Sequence, residues 1–264
     1  MIRAYRALLL AGFQNAVQYR VQMLLWLVGN LMRPVIFLAA WDAVARAQGG
    51  AVGSYSEGDF AAYYVCLTLV GQLTNAWDAW EFETQVRTGT LSPRLLRPFH
   101  PLHYAVVDNL IWKIFTLPAL LPFLAVIAWS FHAHFTTQPW QIALFIPSVI
   151  LGAALRFLFG WAVASLAFWT TRVLAISTLT DQLSFIFAGQ VAPLALLPGV
   201  LQALAYLLPF GYMLGVPAEI LQGGLGPDDA LRLVLGQVVW LAVSFVAFRV
   251  AWGLGLRHYG AVGA

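Results

Sequence analysis

The chain has 264 residues, 61% of them apolar and only 9% charged, against roughly 25% charged in a soluble domain. A soluble globule needs more charge to coat its surface, and a disordered chain needs low hydrophobicity, so both classes are excluded. With a mean hydropathy of +0.79 the composition leaves an all-α, polytopic membrane protein. The formal net charge is +3, and Lys113 is the only lysine. Such an arginine excess points to loops facing an anionic leaflet, not to nucleic acid. Cys66 is the single cysteine, so neither an internal disulfide nor a Cys-based zinc site can form.

Taken in chain order, residues 1–22 read as an interfacial helix. Arg3, Arg6 and Arg20 surround a short apolar core at 7–13, too short for a signal peptide and without a cleavage pattern. Six apolar stretches of about 20 residues follow, the length that crosses a bilayer core. They fall near 23–45, 59–78, 104–130, 141–170, 174–191 and 231–254. No repeat and no linker is visible, so the chain reads as one membrane domain over 1–264.

With the N-terminus inside, the inner segments carry Arg3, Arg6, Arg20, Arg87, Arg94, Arg97, Arg172 and Arg257, and the outer ones only Arg46 and Arg232. That bias predicts both termini in the cytoplasm, as six spans require. Trp77, Trp80, Trp169 and Trp252 near the inner boundary, and Trp41, Trp129 and Trp140 near the outer one, agree with it.

Two connections are long. Residues 79–103 join spans 2 and 3 on the inner side. Glu83 and Arg87 lie four apart with the acid first, the favourable helical order. Gly89 stops that helix, and Ser92-Pro93 starts another with Ser92 as N-cap. The reading is two short surface helices. Residues 192–230, between spans 5 and 6, are outside yet mostly apolar. Pro193, Pro198, Pro209 and Pro217 cut them into pieces too short to cross, which predicts re-entrant helices. A seventh span over 200–222 is the alternative, and it strands Arg257 outside.

The chemistry-bearing motifs are mostly missing. There is no P-loop, no H-E-x-x-H and no G-x-S-x-G, so nucleotide-driven work must come from another chain. The near pairs His100/His103 and His132/His134 have no flanking carboxylates, so no metal is expected. Charges within spans need an account. Asp108, Lys113 and Arg249 lie within snorkelling reach of the inner headgroups. Arg33 and Arg156 are deep, and for Arg156 an ion pair with Asp181 or with a partner chain is the plain structural reading. The excess of deep cations favours an anionic or phosphate-bearing passenger, with Arg33, Arg156 and Asp181 along its pathway.

The segment FQNAVQYRVQMLLWLVGNLMRPVIFLAAW (13–41), the loop EFETQVRTGTLSPRLLRPFHPLHY (81–104) and the run FIFAGQVAPLALLPGVLQALAYLLPFGYMLGVPAEILQGG (185–224) resemble the membrane subunit of ABC-2-type exporters. The likeness is to a six-span branch encoded with a separate ATPase. It implies a permease of an ATP-driven exporter that moves an amphiphilic or lipid-like substrate outward across a bacterial inner membrane. It implies no catalysis on this chain, with ATP and Mg on a partner ATPase, and pairing with a second permease, identical or related. A coupling helix would lie at 79–103, with Glu83, Arg87, Gly89, Leu91, Arg94 and Leu95 meeting the ATPase. The re-entrant segment would form an outer gate closed by Phe210 and Tyr212. The competing readings are a non-transporting sensor or immunity subunit, or an ATPase-independent channel or secondary transporter.

Overall fold

The structure is a computed structural model that describes residues 2–76, 78–170 and 173–260. Trp77 and Arg172, and the side chains of Arg3, Arg20 and Trp80, lie outside what it describes. Helix α1 (Ile2–Gln18) breaks at Tyr19, and α2 (Arg20–Ala47) then runs unbroken through Pro34. Two glycines with positive φ, Gly49 and Gly50, turn the chain into a small antiparallel hairpin. Its strands are β1 (Ala51–Val52) and β2 (Tyr55–Ser56), with Ala51 opposite Ser56.

Helix α3 (Glu57–Thr74) starts with a reciprocal cap. Ser56 Oγ accepts the Asp59 N–H at 3.3 Å, and the Asp59 carboxylate accepts the Ser56 N–H at 3.0 Å. Glu57 and Asp59 also place negative charge on the positive end of the helix. This helix is the centre of the molecule. It packs against α2 and three later helices, and Phe60, Tyr63, Tyr64, Cys66 and Val70 are all buried.

At the far end of α3 the chain forms α4 (Asp78–Arg87) and the single turn α5 (Ser92–Leu95). We call this the elbow end, opposite the hairpin end. Helix α6 (Leu102–Ser130) then returns toward the hairpin. Gln72 donates to Thr116 and so ties α3 to α6. Lys113 Nζ donates to the Asn75 carbonyl at 2.8 Å, which places Lys113 level with the end of α3. The first three turns of α6 therefore extend past α3, and α1 packs against them.

Helix α7 (Pro139–Ala164) runs back toward the elbow and ends in a 3-10 turn (Ser165–Phe168). Helix α8 (Val173–Phe187) rises again. The short pieces α9 (Gly199–Leu207), α10 (Pro209–Met213) and α11 (Gly215–Gln222) follow. Finally α12 (Pro227–His258) crosses from the hairpin end to the elbow along α7.

Among the described residues, four helical stretches are long and apolar enough to cross a membrane: Val21–Ala47, Leu102–Ser130, Pro139–Phe168 and Pro227–His258. The other two expected spans differ for physical reasons. Helix α3 carries two acids in its first turn, and its sides face protein. Helix α8 has 15 residues, about 22 Å at 1.5 Å per residue, short of the roughly 30 Å core.

No helix runs through 200–222, because the chain leaves helical geometry at Leu208 and Leu214. Pro217, expected to cut this segment, instead sits in the first turn of α11, where its missing N–H breaks no helical bond. The segment 188–226 leaves and rejoins at the hairpin end.

Two of the buried clusters among the described residues position the site. One surrounds α3 and includes Leu38, Tyr63, Leu155, Leu194 and Met213. The other lies at the elbow end and joins Phe82 and Val86 of α4 and Leu91 to Trp161, Phe168, Phe248 and Trp252. The Phe82 ring lies 5.2 Å from Trp161, 5.5 Å from Phe168 and 5.6 Å from Trp252.

Candidate functional site

The elbow is built on an amphipathic helix. Phe82 and Val86 of α4 face the aromatic cluster, while Glu81, Arg87 and Thr88 are exposed. Gly89 has φ of +75°, the left-handed geometry that ends helices and favours glycine. The turn is closed by the Leu91 N–H donating to the Gln85 carbonyl at 3.1 Å.

The expected Glu83–Arg87 pair is replaced by a longer link. Glu83 Oε2 accepts the Leu174 N–H at 2.7 Å. It thereby caps the first turn of α8 from another segment, with its charge on the positive end of that helix. Ser92 does not cap α5 either. Leu91 precedes the turn, and Ser92 Oγ lies 3.0 Å from Tyr259 Oη. Arg94 pairs with Glu81 at 3.6 Å and lies 5.2 Å over the Tyr104 ring. Arg97 donates to Tyr104 Oη at 3.3 Å.

Of the six residues expected to meet an ATPase, Arg87 is exposed and Arg94 and Leu95 are half-buried. Leu91 is 0% exposed and belongs to the aromatic cluster, so it faces the protein's own interior. The residue missed is Leu96, 88% exposed between Arg94 and Arg97. In the Leu-rich run 91–96 only three-dimensional packing decides which leucine turns outward.

The charges expected along a pathway come from three helices. The Arg33 guanidinium of α2 lies 5.4 Å from the centroid of the Phe185 ring on α8, a cation–π distance. Phe37, one turn along α2, stacks edge-on against the same ring at 5.6 Å. Asp181, one turn before Phe185, feels the charge of both Arg156 on α7 and Arg33. The structure thus brings Arg33, Asp181 and Arg156 into one electrostatic group around the middle of α8. Asp181, Gln182 and Thr178 are exposed on its outer face. Lys113, on α6, turns to the Asn75 carbonyl.

Phe210 and Tyr212, expected at an exit, are both packed within the chain. Phe210 is 5% exposed, with its ring 5.7 Å from that of Phe159. Tyr212 lies against Gly236 and donates to the Tyr206 carbonyl at 2.9 Å. Closing an exit requires them to leave these contacts. A buried carboxylate was also missed: Glu219 accepts the Leu194 N–H at 3.2 Å, and its carbonyl accepts from Gly223 and Gly224. It fastens α11 to the start of the broken segment.

The loop after α8 is held equally firmly. Tyr63 Oη donates to the Gly189 carbonyl, and Tyr64 Oη to the Val191 carbonyl, each at 2.8 Å. Trp41 Nε1 donates to Val191 at 2.7 Å.

The histidines are engaged locally. His103 Nδ1 lies 2.6 Å from Tyr5 Oη, and His134 lies 3.4 Å from Asp59. The His100 ring rests against Trp252 at 4.6 Å. Burial lowers its basicity, and the charges of His103 and Arg249 lower it further.

No curated protein matches the chain. The profile of the family described as ABC-2 family transporter protein matches residues 31–263, which takes in both the elbow and the broken segment. That match spans most of the sequence and agrees with its long apolar helices, so the chain belongs to the ABC-2 transporter family as a membrane permease.

Proposed function

We propose that this permease is one half of the membrane part of an ATP-driven exporter. It works with a separate ATPase below the elbow and with a second permease, identical or related. Its passenger is an anionic amphiphile or lipid-like molecule moved outward across a bacterial inner membrane, with both termini cytoplasmic. In this reading α3 and the short α8 complete six spans with the four long helices, α8 continued by the loop beyond Phe187, and 188–226 is re-entrant from the outer side.

The single observation that carries the proposal is the link from Glu83 to the first turn of α8. The elbow offers Arg87, Arg94, Leu96 and Arg97 as a docking face, with Leu96 as the apolar contact and the arginines setting register. Gly89 and Leu91 hold the elbow's shape, and Leu95 braces it. Glu83 passes a push on the elbow to α8. Two turns along, α8 carries Asp181 among the cations Arg33 and Arg156, which meet the passenger's negative charge. The exposed Thr178, Asp181 and Gln182 support the paired permease, because lipid does not solvate such groups.

The test is co-expression with an ABC ATPase that co-purifies with this chain, with cysteine placed at position 96. Disulfide crosslinking to a cysteine scan of the ATPase surface is expected. If crosslinks form at spans but never at the elbow, the docking assignment is wrong.

A further inference from the structure

Along the elbow half of α6, α1 leaves a groove with a volume of about 710 Å³, within the size range of small-ligand sites. The two helices run the same way. Tyr5 meets His103, Gly12 packs against Ile111, and Phe13 stacks on Phe115 at 5.0 Å. Gly12 allows this approach, since a Cβ there collides with the Ile111 side chain. The walls are Leu9, Phe13, Ile111 and Ile114, all apolar. One end differs: Arg6 lines the groove there beside Tyr5, whose hydroxyl is already taken by His103. Beyond Tyr5 lie Phe99 and then Tyr104, to which Arg97 donates. The groove is therefore a long apolar trough with cationic charge at one end only.

We infer that this groove binds one anionic phospholipid, its acyl chain along the α1–α6 walls and its phosphate against Arg6. The charge pattern selects this occupant. A purely apolar partner leaves Arg6 unused, and a free anion leaves the trough empty. Lys113, level with the end of α3, puts Arg6 and the start of α6 where headgroups meet chains. The site sits apart from the charges on α8 and is independent of the transport reading, because its test needs neither ATPase nor passenger.

The full-length chain is purified, delipidated in detergent and titrated with phosphatidylglycerol or phosphatidylcholine of identical acyl chains. Bound lipid is counted by native mass spectrometry. Wild type is expected to retain one phosphatidylglycerol about fivefold better than phosphatidylcholine, the factor that one basic residue near a headgroup supplies. Arg6→Gln brings that ratio to about one. Ile114→Trp, which fills the trough, lowers retention of both lipids. Arg6 and Ile114 are exposed, so neither change removes core packing, and an unchanged elution volume verifies this. Equal retention of the two lipids by wild type overturns the inference, as does a preference that survives Arg6→Gln. Retention unaffected by Ile114→Trp overturns it, and so does a dimer, lost in that variant, that carries no lipid.

Discussion

Replacing Glu83 with alanine removes the acceptor that holds the Leu174 N–H at 2.7 Å. A lost N-terminal cap costs about 1 kcal/mol, and a carboxylate at the positive helix end adds ~0.3–1 kcal/mol. The bond is exposed to solvent, so the total is about 1–2 kcal/mol and not the larger figure of a buried charged bond. Glu83→Gln keeps an acceptor and loses only the charge, about half as much. The loss falls on one turn, so the sharpest assay is hydrogen exchange of the amides at 174–178. Exchange there is expected to quicken about fivefold to thirtyfold in Glu83→Ala. Melting temperature should fall only ~2–6 °C. Permease-stimulated ATP hydrolysis should separate from transport, because the elbow no longer grips α8. The rival geometry is a Glu83–Arg87 pair within α4, under which neither Glu83→Ala nor Arg87→Ala changes exchange at 174–178. Unchanged exchange there in Glu83→Ala refutes the cross-helix cap.

Leu91→Asp should cost ~3 kcal/mol or more of stability and lower the melting temperature strongly, since it buries a charge in the aromatic cluster. Leu96→Asp should leave the melting temperature unchanged and abolish ATPase binding in pull-downs; equal melting of the two variants contradicts the assigned facing. The double variant Arg33→Gln/Arg156→Gln should cut transport at least tenfold while the permease still assembles with its ATPase, measured by vesicle uptake and gel filtration. Normal transport removes the cargo role. His100 is less basic in the folded chain than in the unfolded one, so the folded state binds fewer protons between its lowered pKa and 6.5. Stability is then present above pH 6.5 and lost as pH falls through that window, and His100→Phe should flatten the loss in melting curves at pH 5 and 7.5. Gly189→Ala meets both a φ of +80° and the Tyr63 hydroxyl. It should cost about 2–3 kcal/mol, partly restored in the double variant with Tyr63→Phe.

The apolar helices were legible because length and hydropathy are local quantities. The stretches expected near 23–45, 104–130 and 231–254 begin and end within four residues of α2, α6 and α12. The stop at Gly89 was equally local, since left-handed geometry belongs to a single residue. What could not be read was partner choice. Glu83 has Arg87 one turn away in sequence but Leu174 within 2.7 Å in space. Leu91 and Leu96 are the same residue type five apart, and only the aromatic cluster distinguishes inside from outside. The Ser56–Asp59 cap has a spacing readable in the sequence, directly before the apolar run of α3. Arg33 and Asp181 are 148 positions apart by their numbers, and Phe185 brings them together. Pro217 shows that a proline's effect depends on which turn it occupies.

The fastenings of α8 are unequal at its two ends. Among the described residues, Trp41, Tyr63 and Tyr64 give three hydrogen bonds to the loop beyond Phe187, while the opposite end is held by the Glu83 carboxylate and by the packing of Val173. A stiff rod bound this way has its fulcrum at the tightly bound end. A shove delivered at Leu174 sweeps Asp181 sideways through about half the arc and barely displaces Gly189. In the transport reading proposed above, sideways travel of this kind would alter the charge seen along the rod while its anchored tip stays in place, so the two mouths of a conduit beside it would not have to open together.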